Sequence, residues 1–194
     1  MNYRSVFALT SAVALSACGL NSVPTAEENA KARWADVQND YQRRADLIPN
    51  LVATVKAAGA QEKNILVEVT QARAAANTIR ISSSDLTDPA KLAQFDRAQS
   101  ALGLSLQRLQ EAYPELKSQA NYATLMSQLE GTENRIVIAR RDYNTAVQEY
   151  NTRIRTFPDA IGAKVFYGAK PMTPFQATTP GAENAPTVNF GNSN

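Results

Sequence analysis

The chain has 194 residues, with 20 basic and 18 acidic side chains, one cysteine and no histidine. So even a balance argues against a nucleic-acid binder, which carries a basic stripe. The absence of histidine removes Ser–His, Cys–His and His–metal chemistry together, and a single thiol leaves no internal disulfide, so packing alone must hold the fold.

Residues 1–17 read as a signal peptide. Arg4 and the terminal amine form a short positive region, and Val6 to Ala17 is apolar or small. That run is too short to cross a ~30 Å hydrocarbon core as a helix. Leu15-Ser16-Ala17-Cys18 resembles the lipobox of bacterial lipoproteins, whose cysteine accepts a diacylglyceryl group before cleavage. The expected mature chain begins at an acylated Cys18, outside the cytoplasm. Gly19 stands where aspartate would favour inner-membrane retention, which points to the outer membrane in a cell that has one.

Residues 18–25 are expected to form the acylated terminus and a short tether, closed by a capping box at Thr25-Ala-Glu-Glu28. The first helix runs from there toward Gly59. Trp34, Tyr41, Ile48 and Val55 recur every seven residues, flanked by Val37, Ala45, Leu51 and Val52. Pro49 lies inside this stripe and predicts a kink or break near Asp46 to Pro49, with a freed carbonyl that Asn50 or a neighbouring helix must satisfy. A second helix carries Ile65, Val69, Ala72, Ala76 and Ile79 and stops before the serine run 82–84. Asp88-Pro89 starts a third, as N-cap and first helical residue. Its stripe of Leu92, Phe95, Leu102, Leu106, Leu109 and Tyr113 ends at Pro114.

The fourth helix is the most regular. Tyr122, Leu129, Ile136, Tyr143, Tyr150 and Phe157 occupy one heptad position, and Leu125, Thr132, Ala139 and Ala146 the other. Asn144 and Asn151, each following a stripe tyrosine, suit a repeated polar contact along one flank. Four such stripes with short connections predict an all-α, antiparallel up-down four-helix bundle over 26–168. The chain then turns to Pro, Thr, Ala, Gly and Asn, and residues 169–194 are expected to be a disordered tail of little consequence for stability.

The segments Arg43-Arg-Ala-Asp-Leu-Ile-Pro-Asn-Leu-Val52, Glu68-Val-Thr-Gln-Ala-Arg73, Ala112-Tyr-Pro-Glu-Leu-Lys117, Leu129-Glu-Gly-Thr-Glu-Asn-Arg-Ile136 and Ala139-Arg-Arg-Asp-Tyr-Asn144 together resemble the LemA family over roughly residues 30–168. The resemblance implies a helical bundle attached to the bacterial envelope membrane, with its domain outside the cytosol and no established enzymatic activity. The chain departs from the family in carrying a lipobox where members usually carry a transmembrane anchor. Its C-terminal aromatic ending, Phe166 to Phe175, is also altered.

No catalytic, metal or cofactor residues stand out. Glu62, Glu68, Glu130 and Glu133 lack the histidine partners of a di-iron bundle and read as surface charges or as partners of Arg73, Arg135 and Arg140. Thr132 to Arg135 reads as a register-fixing hydrogen-bond network rather than a recognition patch. Arg43, Arg44 and Asn50, beside the proline, are the expected docking residues for a partner, a membrane or envelope protein. The expected function is a non-enzymatic interaction or scaffold module on a lipid anchor at Cys18. The alternatives are a small-ligand or lipid-binding bundle and a carboxylate-dependent hydrolase.

Overall fold

A computed structural model describes residues 21–59 and 63–176. Among them are five α-helices: α1 (Ser22–Ala57), α2 (Lys63–Thr78), α3 (Pro89–Ala112), α4 (Ala120–Arg153) and α5 (Asp159–Val165). Two 3-10 turns, Ser83–Thr87 and Pro114–Ser118, complete the order, and no strand is present among the described residues. The all-α expectation holds. The signal peptide, Cys18 and the chain after Gln176 lie outside the described residues.

Contacts set the helix directions. Trp34 meets Tyr143, Tyr41 meets Arg140 and Arg44 meets Glu133, so α4 runs against α1. Tyr41 meets Phe95 and Arg44 meets Gln99, so α3 runs with α1. At ~1.5 Å per residue, α1 and α4 are each ~50 Å long and α2 only about half that. Four helices therefore share one end of the bundle only. There Ile48, Leu51, Val55, Leu66, Val69, Leu102, Leu109, Tyr122 and Leu129 form one apolar cluster.

At the other end α2 is absent. Its place is taken by the connection through Ile81 and Leu86 and by residues 169–176, which bury Met172 and Phe175 against Trp34, Phe95, Ile136 and Tyr143. Trp34 is the centre of this second cluster, with ring centroids of Phe95, Tyr143 and Phe175 at 5.5, 5.4 and 5.7 Å.

Several local expectations are met. Asp88 caps α3, its Oδ1 accepting from the amides of Ala90 and Lys91 with Pro89 at the first helical position. The α4 stripe is buried from Tyr122 through Tyr150 except at Leu125, which is half-buried. Others are corrected. The Thr25 capping box does not form: α1 starts at Ser22, the Thr25 hydroxyl donates back to the Asn21 carbonyl, and Glu28 pairs with Lys31. Phe157 leaves the α4 stripe because the helix ends at Arg153, and its ring is 82% exposed. The bundle does not stop at Gly168, since residues 169–176 are part of its core.

Candidate functional site

The predicted docking residues separate. Arg43 and Asn50 are exposed on α1, seven residues and so two turns apart on one face. Arg44 is 4% exposed and cannot belong to that surface. The reason lies in the helix phase: Arg44 sits three residues after Tyr41 and four before Ile48, on the buried stripe itself.

Pro49 does not break α1, which continues to Ala57. Proline has no amide hydrogen, so the carbonyl four residues earlier, that of Ala45, loses its helical donor. Arg73 Nε from α2 supplies one, at 2.7 Å. The expectation that Asn50 or a neighbouring helix would satisfy the freed carbonyl resolves in favour of the neighbour.

Arg44 lies where the two apolar clusters meet. Its Nη1 donates to Glu133 Oε2 of α4 at 2.8 Å, and its Nη2 to both the backbone carbonyl and the side-chain oxygen of Gln99 on α3, at 3.0 and 2.8 Å. The guanidinium carbon stands 5.0 Å from the Tyr41 ring centroid. At Gly103 an added Cβ would sit 4.0 Å from Arg44 Nη1, so α3 passes close to the cation there. One turn away on α3 and two on α4, Arg140 of α4 pairs with the buried Asp96 of α3 at 3.0 Å and covers the Phe175 ring at 4.3 Å. Burial pushes the Asp96 carboxyl above its ordinary value, partly offset by the Arg140 charge. Desolvation likewise raises the Tyr41 and Tyr143 hydroxyls. Two arginines thus tie α1, α3 and α4 through a mid-bundle polar belt.

Thr132 is fully buried beside this belt; its hydroxyl donates to the Gln128 carbonyl and accepts from Arg135. The expected register-fixing network is met only in part: Thr132 is buried and Glu133 reaches Arg44, whereas Glu133, Asn134 and Arg135 are themselves exposed. An open groove of about 320 Å³ between α3 and α4 runs over Arg44 and Gly103, between Leu106, Met126 and Leu129.

The carboxylates weighed as a metal set do not gather. Glu68 pairs with Arg108 and Glu133 with Arg44, and Glu62 lies outside the described residues. No group of three or more His, Cys, Asp or Glu that could hold a metal is present among the described residues.

Composition alone does not reveal the strap of residues 169–176. Asn151 clamps Met172, its Oδ1 accepting from the amide and its Nδ2 donating to the carbonyl, both at 2.8 Å. Asn144 does the same to Phe175, at 2.8 and 3.0 Å. The Tyr150 and Tyr143 hydroxyls donate to the carbonyls of Lys170 and Thr173. Seven helical residues advance ~10.5 Å and three extended ones ~10 Å, so the two repeats stay in step. The signal was in the sequence twice over. Tyr-Asn recurs at 143 and 150, and Lys170-Pro-Met and Thr173-Pro-Phe repeat at three residues. Pro171 and Pro174 fall where no amide donor is used, since the donors are Met172, Thr173 and Phe175.

Arg44, Arg73, Glu133, Arg140, Tyr143 and Asn144 all come from the segments that carry the family resemblance, and in the fold they meet one another, the proline turn or the strap. No curated protein matches the chain. The model of the LemA family matches residues 33–190, a span that includes the strap and all of the bundle but the first turns of α1, and the chain belongs to the LemA family.

Proposed function

We propose that this LemA-family protein is a lipid-anchored, non-enzymatic interaction or scaffold module facing the periplasm or cell exterior. The observation that supports it best is the start of α1 at Ser22. Cys18, the residue proposed to be acylated, is four positions upstream, which at ~3.6 Å per residue holds the helix start within ~14 Å of the anchor. No described helix is long and apolar enough to cross a membrane; in this proposal the attachment comes from the acyl chains on Cys18. Acyl chains together hold far better than a single myristoyl group, whose binding is marginal.

A bundle ~50 Å long on so short a leash gains effective concentration toward other membrane-bound proteins. The docking surface proposed for them is the exposed face of α1 that carries Arg43 and Asn50. Arg44 acts from inside, fixing where that face points. A photo-cross-linking residue placed at Arg43 or at Asn50 in intact cells tests this. The expected result is one defined membrane-protein adduct from both sites, with the Asn50 adduct weakened by Arg43→Glu without a change in the thermal melt. Adducts no different from those formed at exposed Gln107 of α3 would contradict it.

A further inference from the structure

We propose that α5 and its flanks form a second, non-covalent membrane contact: an apolar wedge that seats this end of the bundle on an anionic lipid surface. Phe157, Ile161, Val165 and Phe166 are 82, 58, 68 and 68% exposed. Ile161 and Val165 lie four residues apart on one face of α5, while Gly162 and Ala163 turn the opposite face into the bundle. Other exposed large apolar residues are spread along the sides, as at Val67, Leu104 and Val137. Single exposed apolar residues are ordinary, whereas a cluster on one short element marks an interaction site.

Three observations select a bilayer as the occupant. The first is position. The pairing of Trp34 with Tyr143, and the field of Glu27 and Lys31 at Tyr150, set the antiparallel register of α1 and α4. That register brings Ser22 beside the end of α4, immediately before Phe157. The wedge and the N-terminal anchor therefore share one end of the molecule. The second is charge. From Thr152 to Gln176 the basic side chains are Arg153, Arg155, Lys164 and Lys170, and the sole carboxylate is Asp159. Arg155, Lys164 and Lys170 are exposed. The nearest acids on α1, Glu27 and Glu28, are held by Lys31. The third is chemistry. Aromatic and aliphatic side chains ringed by lysine and arginine suit the headgroup–acyl boundary, where the rings are buried and the cations meet phosphate.

The proposal rests on acylation of Cys18 only for its geometry, and the two are separable by experiment. Full-length Phe166→Trp protein, isolated from its own membrane, is reconstituted into vesicles of phosphatidylcholine with or without phosphatidylglycerol. Brominated acyl chains quench indoles that reach the boundary, and native Trp34, 2% exposed, supplies the unquenched reference. The wedge predicts loss of about half the emission from position 166, for a side chain ~5–10 Å below the surface, with stronger quenching on the anionic vesicles. Unquenched emission from acylated protein that floats with the vesicles overturns the wedge and leaves the anchor standing. Quenching in protein that carries no acyl group overturns the anchor and supports the wedge. Protein with neither acyl group nor quenching overturns both. Phe157→Glu with Phe166→Glu should abolish the preference for anionic vesicles while leaving the melt unchanged, and a retained preference would contradict the wedge.

Discussion

Arg73 Nε donates to the Ala45 carbonyl at 2.7 Å, and that carbonyl is free only because Pro49 has no hydrogen to offer it. A breaker in one helix and a cation in the next are thus a single unit. Removing one half should reveal the other. Arg73→Ala should cost roughly 1–3 kcal/mol, the penalty of a desolvated acceptor left unpaired. Pro49→Ala restores a helical donor, so Arg73→Ala made on top of it should cost markedly less. Denaturant unfolding of the four chains measures the coupling, and additive effects would show that the hydrogen bond carries no weight.

Arg44 and Glu133 differ sharply in exposure, at 4 and 55% of their side-chain surface. Cutting Glu133 back to alanine leaves a buried guanidinium with Gln99 alone, whereas Arg44→Met removes the buried charge and lets Glu133 hydrate. We expect Glu133→Ala to cost about 1–3 kcal/mol and Glu133→Ala to be nearly silent in the Arg44→Met background. Equal losses from Glu133→Ala in both backgrounds would deny the pairing.

The strap is expected to be structural. Phe175→Ala should cost roughly 3–5 kcal/mol, as for other buried aromatic truncations, and Asn151→Ala about 1–3 kcal/mol through the two strap groups it leaves unpaired. A chain ending at Gly168 should melt well below the full protein. If it melts with the full protein, the strap is not part of the core.

Asp96 gives a pH signature whose sign follows from its raised pKa. The native chain holds the Asp96 proton more tightly than the unfolded chain does, because burial is the larger influence and Arg140 only offsets it. Its contribution to stability is therefore most favourable with the carboxyl protonated, and it falls as pH rises from the ordinary value near 3.8 through the raised one. Asp96→Asn removes that slope. The variant should gain on the wild type as pH rises across this window in denaturant titrations, and a difference that stays constant with pH would contradict the assignment.

The sequence made the long-range stripes legible because helix burial is periodic: Trp34, Tyr41, Ile48 and Val55, or Ile136, Tyr143 and Tyr150, are buried as their spacing requires. It failed where burial follows contact rather than period. Arg44 sits on a buried stripe, yet its charge argues for solvent, and only Glu133 and Gln99, 89 and 55 residues away in sequence, make its position tolerable. The strap has the composition of a tail, and its order comes from Asn144 and Asn151 on another element. Those two asparagines were readable as a repeated contact, but nothing local named the segment they hold. Phe157 continued the α4 heptads in sequence while the helix itself ended at Arg153, one turn short.

Attachment through Cys18 is decided by the mass of the N-terminal peptide of protein isolated from its native membrane. Acylation predicts a peptide that begins at Cys18 and carries acyl chains on it, with the protein lost from the membrane fraction in Cys18→Ser. A peptide that retains residues 1–17, or that begins at Cys18 with a free thiol while the protein still fractionates with the membrane, would contradict it.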